Sequence, residues 1–127
     1  MSLARIRIAW SKGTVSAILD DTPTARALVA TLPLKAKAQT WGEEVYFEIP
    51  VKATLEKDAK QVVPSGTVCF WVEGRSLALP WGRTPISEGD EPRLVTRCNV
   101  LVKIDGEARQ LASMRSGDTI TLTTGDE

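Results

Sequence analysis

Two tryptophan–glycine pairs gather most of the residues that could do chemistry. Trp41-Gly42 is followed by Glu43, Glu44 and Tyr46, and Trp81-Gly82 by Arg83, Thr84 and Pro85. A third indole, Trp71, ends the apolar run Val68-Cys69-Phe70-Trp71. Glu43 and Glu44 are neighbours, so on a strand they face opposite ways and only one can face a given cleft. Such a carboxyl would serve as an acid or base if burial raised its pKa. Tyr46 shares the Glu44 face, and its hydroxyl and that of Thr84 are candidate donors. Arg83, held between Gly82 and Pro85, offers a fork of N–H groups that suits a carboxylate or phosphate. Indoles at a cleft wall can pack and still present a face to a ligand. Each of these residues also has a plain structural role: a solvated or ion-paired glutamate, a half-buried tyrosine, a loop arginine bonding a carbonyl, a packing indole. The concentration of three of the four tryptophans around these segments is what places a candidate ligand-binding cleft here, with Arg83 as its anchor.

The rest of the composition narrows the chemistry. The 127 residues contain no histidine, which removes the commonest general base and the commonest zinc ligand. Cys69 and Cys98 both sit in apolar runs and read as buried thiols. No metal-ligand cluster, glycine-rich phosphate loop or dinucleotide fingerprint is present, so neither metal nor cofactor is expected. Sixteen basic residues balance sixteen acidic ones, and a chain without basic excess is a poor nucleic-acid binder. No apolar run is long enough for a membrane span or signal peptide, so a cytoplasmic location without membrane contact is expected.

The elements that must position these side chains follow from periodicity. The length suits one domain over 1–127. Ile6, Ile8 and Trp10 share a face with Leu3 before it, and Val15, Ala17 and Leu19 alternate after Ser11-Lys12-Gly13, an opening hairpin. Thr22 caps a helix with Pro23 at its first position and Ala25, Leu28, Val29 and Leu32 as its apolar stripe, and Pro33 ends it. Val45, Phe47 and Ile49 alternate in the next strand, and Glu56 to Lys60 reads as a solvated loop. Strands follow at Thr67–Val72, Ser76–Leu79 and around Asn99-Val100-Leu101-Val102, with a long irregular loop over 81–92 between the last two. Asp105 is placed to cap a second short helix carrying Ala108, Leu111 and Ala112. Thr119–Thr123 is the last strand, and Gly125-Asp126-Glu127 should fray.

The strings TWGEEVYFEIPV (40–51) and VCFWVEGRSLALPWGRTPIS (68–87) resemble the two signatures of a prokaryotic cyclophilin-like family of small proteins. Trp81 stands where that family's closing segment carries phenylalanine. The resemblance covers nearly the whole chain and implies a mainly β fold, a closed eight-stranded barrel with two short flanking helices. True cyclophilins isomerise X-Pro bonds with a motif that ends Gln-Gly-Gly and includes a Phe-His-Arg string, and this sequence has neither. The functional expectation is a binding module that takes a small anionic molecule or an extended peptide between the Trp-Gly segments. Two alternatives stand beside it: a divergent peptidyl-prolyl isomerase, and a self-associating structural protein that forms a homodimer through a strand edge.

Overall fold

The alternating opening run forms the hairpin its pattern requires. In the computed structural model, which describes residues 2–125, β1 (Ser2–Trp10) pairs antiparallel with β2 (Gly13–Asp20). Ile6, Ile8 and Trp10 face Val15, Ala17 and Leu19 inside the core. Leu3 is out of phase with Ile6, and a bulge between Ser2 and Ala4 absorbs the extra residue. Thr22 caps helix α1 (Pro23–Ala30), its hydroxyl accepting the Ala25 N–H at 3.1 Å. The helix buries Thr24, Ala25 and Leu28, and it stops before Leu32, where Thr31 returns its hydroxyl to the Leu28 carbonyl.

Two short strands, β3 (Leu34–Lys37) and β4 (Gln39–Thr40), flank buried Ala38. β5 (Glu44–Glu48), β6 (Lys60–Val62), β7 (Thr67–Trp71), β8 (Ser76–Pro80) and β9 (Arg93–Lys103) follow, and β10 (Thr119–Thr124) returns to the hairpin. The fold is therefore mainly β, as expected, but ten strands rather than eight carry it among the described residues. They form two antiparallel sheets, ordered β2-β1-β10-β3 and β4-β5-β8-β7-β9-β6. The chain passes from one sheet to the other at Ala38, whose N–H donates to Asp118 O and whose carbonyl accepts from Gly117 N. The facing sides of the sheets bury Ile8, Phe47, Phe70, Leu77 and Leu101 in one core.

Three local expectations are corrected. The second helix is a single 3-10 segment, Ala108–Ser113, preceded by Glu107 without a side-chain cap. Asp105 instead pairs with Arg5 at 3.0 Å. Glu56 is not a free solvated residue: its carboxylate accepts from the Thr24 N–H and hydroxyl, and its own N–H donates to Asn99 Oδ1. At the C-terminus Gly125 is held by its N–H on Arg5 O, while Asp126 and Glu127, expected to fray, lie outside the described residues. Among the described residues no helix is long and apolar enough to cross a membrane.

Candidate ligand-binding cavity

The two Trp-Gly segments meet in space. Glu43 N–H donates to Arg83 O at 2.7 Å, and the Glu43 carbonyl accepts from both Trp81 N and Gly82 N. The Glu43 carboxylate closes the clasp by accepting the Arg83 backbone N–H at 2.9 Å. Gly42 turns the chain at φ +62°, and a Cβ there would lie 2.9 Å from the Arg83 carbonyl and from Pro85. The clasp fixes where β5 begins and which face each of its residues takes.

On β5 the alternation sends Val45 and Phe47 into the main core and Glu44 and Tyr46 to the opposite face. There Tyr46 lies opposite Ala78 of β8, and Ala78 lies opposite Cys69 of β7. Val63, Cys69, Ala78, Leu94 and Cys98 form a second, smaller apolar cluster on this face, with Tyr46, Trp71 and Val100 packed against it. A cavity of about 150 Å³ opens beside that cluster, lined by Trp41, Glu44, Tyr46, Trp71, Ala78, Leu94, Val95 and Cys98. Tyr46 and Trp71 meet edge to face, ring centroids 6.3 Å apart at 81°, and so form two walls of a corner. The Tyr46 hydroxyl donates outward to Gln39 Oε1 at 3.2 Å.

Glu44 is the polar exception in this lining. It is 5% exposed, and its Oε1 has no hydrogen-bond partner among the described residues. Burial pushes its carboxyl up to about 7, because the charged form loses water and gains no donor. The thiols of Cys69 and Cys98 are free and buried, as the sequence indicated. Burial raises both, Cys98 to about 12, and the nearby Glu44 carboxylate adds to the effect.

The expected site residues thus divide. Trp41, Glu44, Tyr46 and Trp71 line the cavity. Glu43, Trp81, Arg83 and Thr84 do not. Glu43 belongs to the clasp, and Trp81 packs against the main core. Arg83 is exposed and outside the cavity lining, and it is its backbone that docks on Glu43. Thr84 is buried within the 81–92 loop, its hydroxyl bonding Arg93 O at 2.5 Å and its N–H donating to Ser87 Oγ. Glu91 staples the same loop by accepting from the N–H groups of Glu88 and Gly89 and from Arg93, which lowers its carboxyl to about 2. These bonds brace the 81–92 segment internally and tie it to the start of β9.

Ala78, Leu94, Val95 and Cys98 were not among the expected site residues. They are ordinary apolar positions along the chain, and only the pairing of β5, β8, β7 and β9 brings them together. Among the described residues no group of His, Cys, Asp or Glu could hold a metal ion.

The geometry agrees with what the chain is similar to. The cyclophilin-like family profile matches residues 4–123, and the chain belongs to that family. The solution structure of a hypothetical protein from Archaeoglobus fulgidus superimposes with a TM-score of 0.81 at 29% identity, over 96% of this chain and 95% of that one. No curated protein matches the chain.

Proposed function

We propose that the chain is a binding module whose ligand enters the cavity between Trp41, Tyr46 and Trp71 and satisfies Glu44. The observation that carries this reading is the unpartnered Oε1 of a buried glutamate in an otherwise apolar lining. Leaving a buried polar group unpaired costs about 1–3 kcal/mol, and a fold keeps such a group most readily where a ligand completes it. An apolar cavity near 150 Å³ matches a benzene-sized occupant. An anion anchored by Arg83 is disfavoured, since the lining offers a carboxyl and no guanidinium. Proline isomerisation is disfavoured for the same reason, because it needs a donor that weakens amide conjugation. We read the two sheets as halves of one barrel, supported by the direct passage of the chain from β3 to β4 through Ala38 and by the Asp105 N–H on Ser16 O at the opposite seam.

The indole N–H resonances in nitrogen–proton correlation spectra test the site. Titration with small probes of benzene size should shift the Trp41 and Trp71 signals. The Trp10 signal should stay, because its indole is bonded to Ser113 Oγ at 2.9 Å on the far side of the core. Unmoved Trp41 and Trp71 signals at millimolar probe would refute the reading.

A further inference from the structure

We infer that the cavity takes an organic ammonium group, a protonated or quaternary amine on a small apolar frame, with Glu44 as its counter-ion. This rests on the cavity being a binding site, as proposed above, and names its ligand class.

Three features of the lining select a cation. First, the walls are aromatic. Trp41, Tyr46 and Trp71 all border the cavity, and the perpendicular Tyr46–Trp71 pair forms a corner that can cup a rounded head group. An ammonium within about 6 Å of the face of such a ring is attracted to it, most strongly when both are dry. Second, the only carboxyl in the lining is buried and has a lone oxygen without a donor. A carboxylate is acceptor-only once ionised, so the group it lacks is a hydrogen-bond donor or a positive charge. Third, nothing else in the lining competes for that charge or supplies it. No lysine or arginine lines the cavity. The titratable groups packed around Glu44 are Tyr46 on its own strand, Cys69 on β7 and Cys98 on β9, and the two thiols are held protonated well above neutrality. A bound cation would therefore meet the uncompensated charge of Glu44, with the Glu73 carboxylate adding its field at Cys98 from beyond the lining, whereas a bound carboxylate or phosphate would meet repulsion. Val95 lines the cavity yet is 48% exposed, so it stands at the opening, where an apolar frame can lie.

Protonation is the competing occupant. Burial pushes Glu44 toward its neutral form, and a cation must drive the proton off. Binding of a permanent cation should therefore strengthen as pH rises and release a proton near neutrality.

Three probes that share a trimethyl head separate the charge from the apolar contact: tetramethylammonium, neopentyl alcohol and pivalate. Affinities are read by calorimetry and by the indole signals, at about pH 5.5 and about pH 8.5, on either side of the raised Glu44 value. At the higher pH, tetramethylammonium should bind roughly tenfold tighter than neopentyl alcohol, and pivalate weakest. The advantage should shrink at the lower pH and disappear in Glu44→Gln, which should still bind neopentyl alcohol. Trp71→Phe, which keeps a ring with a weaker face, should lose affinity for the cation more than for the alcohol. Equal binding of the cation and the alcohol to the unaltered protein would overturn the ammonium assignment and leave the cavity as a binding site. Failure of all three probes to move the Trp41 and Trp71 signals would remove both. A cation preference that survives Glu44→Gln would overturn Glu44 as counter-ion.

Discussion

At the scale of single residues, Gly42 and Gly82 show why each Trp-Gly pair needs its glycine, and for different reasons. Gly42 combines φ +62° with backbone packing, since an added Cβ would sit 2.9 Å from Arg83 O and 3.0 Å from Thr84 Cα. Neither the dihedral nor a carbonyl can move aside locally, so Gly42→Ala should cost about 2 kcal/mol in urea unfolding. At Gly82 the obstacle is the Glu43 carboxylate, which the added atom would overlap, and a side chain on the surface can swing away. Gly82→Ala should therefore cost less, and the Arg83 amide should exchange faster as it loses Glu43. A larger loss at Gly82 than at Gly42 would contradict this account of the clasp. The location of the cavity was legible from these pairs because indoles, glycines and carboxylates crowd there. That Glu44 and Tyr46 share a strand face was legible too, in the alternation with Val45, Phe47 and Ile49, but which of Glu43 and Glu44 faces the cleft was not, because either face of an isolated strand could be the buried one. The role of Arg83 was not, because residue type says nothing about whether backbone or side chain makes the docking contact.

At the scale of elements, Asn99 ties together three segments distant in sequence. It lies opposite Phe70 on β9, fully buried. Its Nδ2 donates to Thr24 Oγ1 and Thr54 O, each at 2.9 Å, and its Oδ1 accepts the Glu56 N–H at 2.7 Å. One amide thus pins the start of α1 and the 51–59 segment to the six-stranded sheet. Asn99→Leu would keep the volume and leave the Thr54 carbonyl and Glu56 N–H without partners. It should lower stability by about 3 kcal/mol and speed exchange of the Glu56 amide, and a loss under about 1 kcal/mol would mean that water replaces the amide. The hairpin, α1 and the strand positions were legible because each is a local period with a local cap or turn. The grouping into two sheets, the lining drawn from β8 and β9, and the Glu56 contact were not, because they depend on pairings across tens of residues. The 3-10 segment was misread for a related reason. Its buried Leu111 fits helical spacing, yet the run is too short for a propagated α-helix.

At the scale of the whole molecule, net charge is zero, so the dependence of stability on pH comes from the few groups the fold displaces rather than from overall repulsion. Two carboxyls act in opposite directions and in separate windows. Glu91 has its folded value lowered to about 2, so its contribution is present above the ordinary glutamate range and is lost as pH falls toward 2. Glu44 has its folded value raised to about 7, so its contribution is fully present below about 4.5 and is lost as pH rises through 7. A displacement of that size corresponds to roughly 3 kcal/mol, so stability should peak near pH 4–5 and decline toward pH 8. Glu44→Gln removes the titration while keeping the shape, so its curve should be nearly flat from pH 5 to 8 and should cross above that of the unaltered protein on the alkaline side. Saturating tetramethylammonium should lift the alkaline limb of the unaltered protein and leave the variant unchanged, because a ligand stabilises only the state it binds. Parallel curves for the two proteins across that range would show that Glu44 is hydrated in solution, and the buried, unpartnered carboxyl would then no longer argue for a ligand.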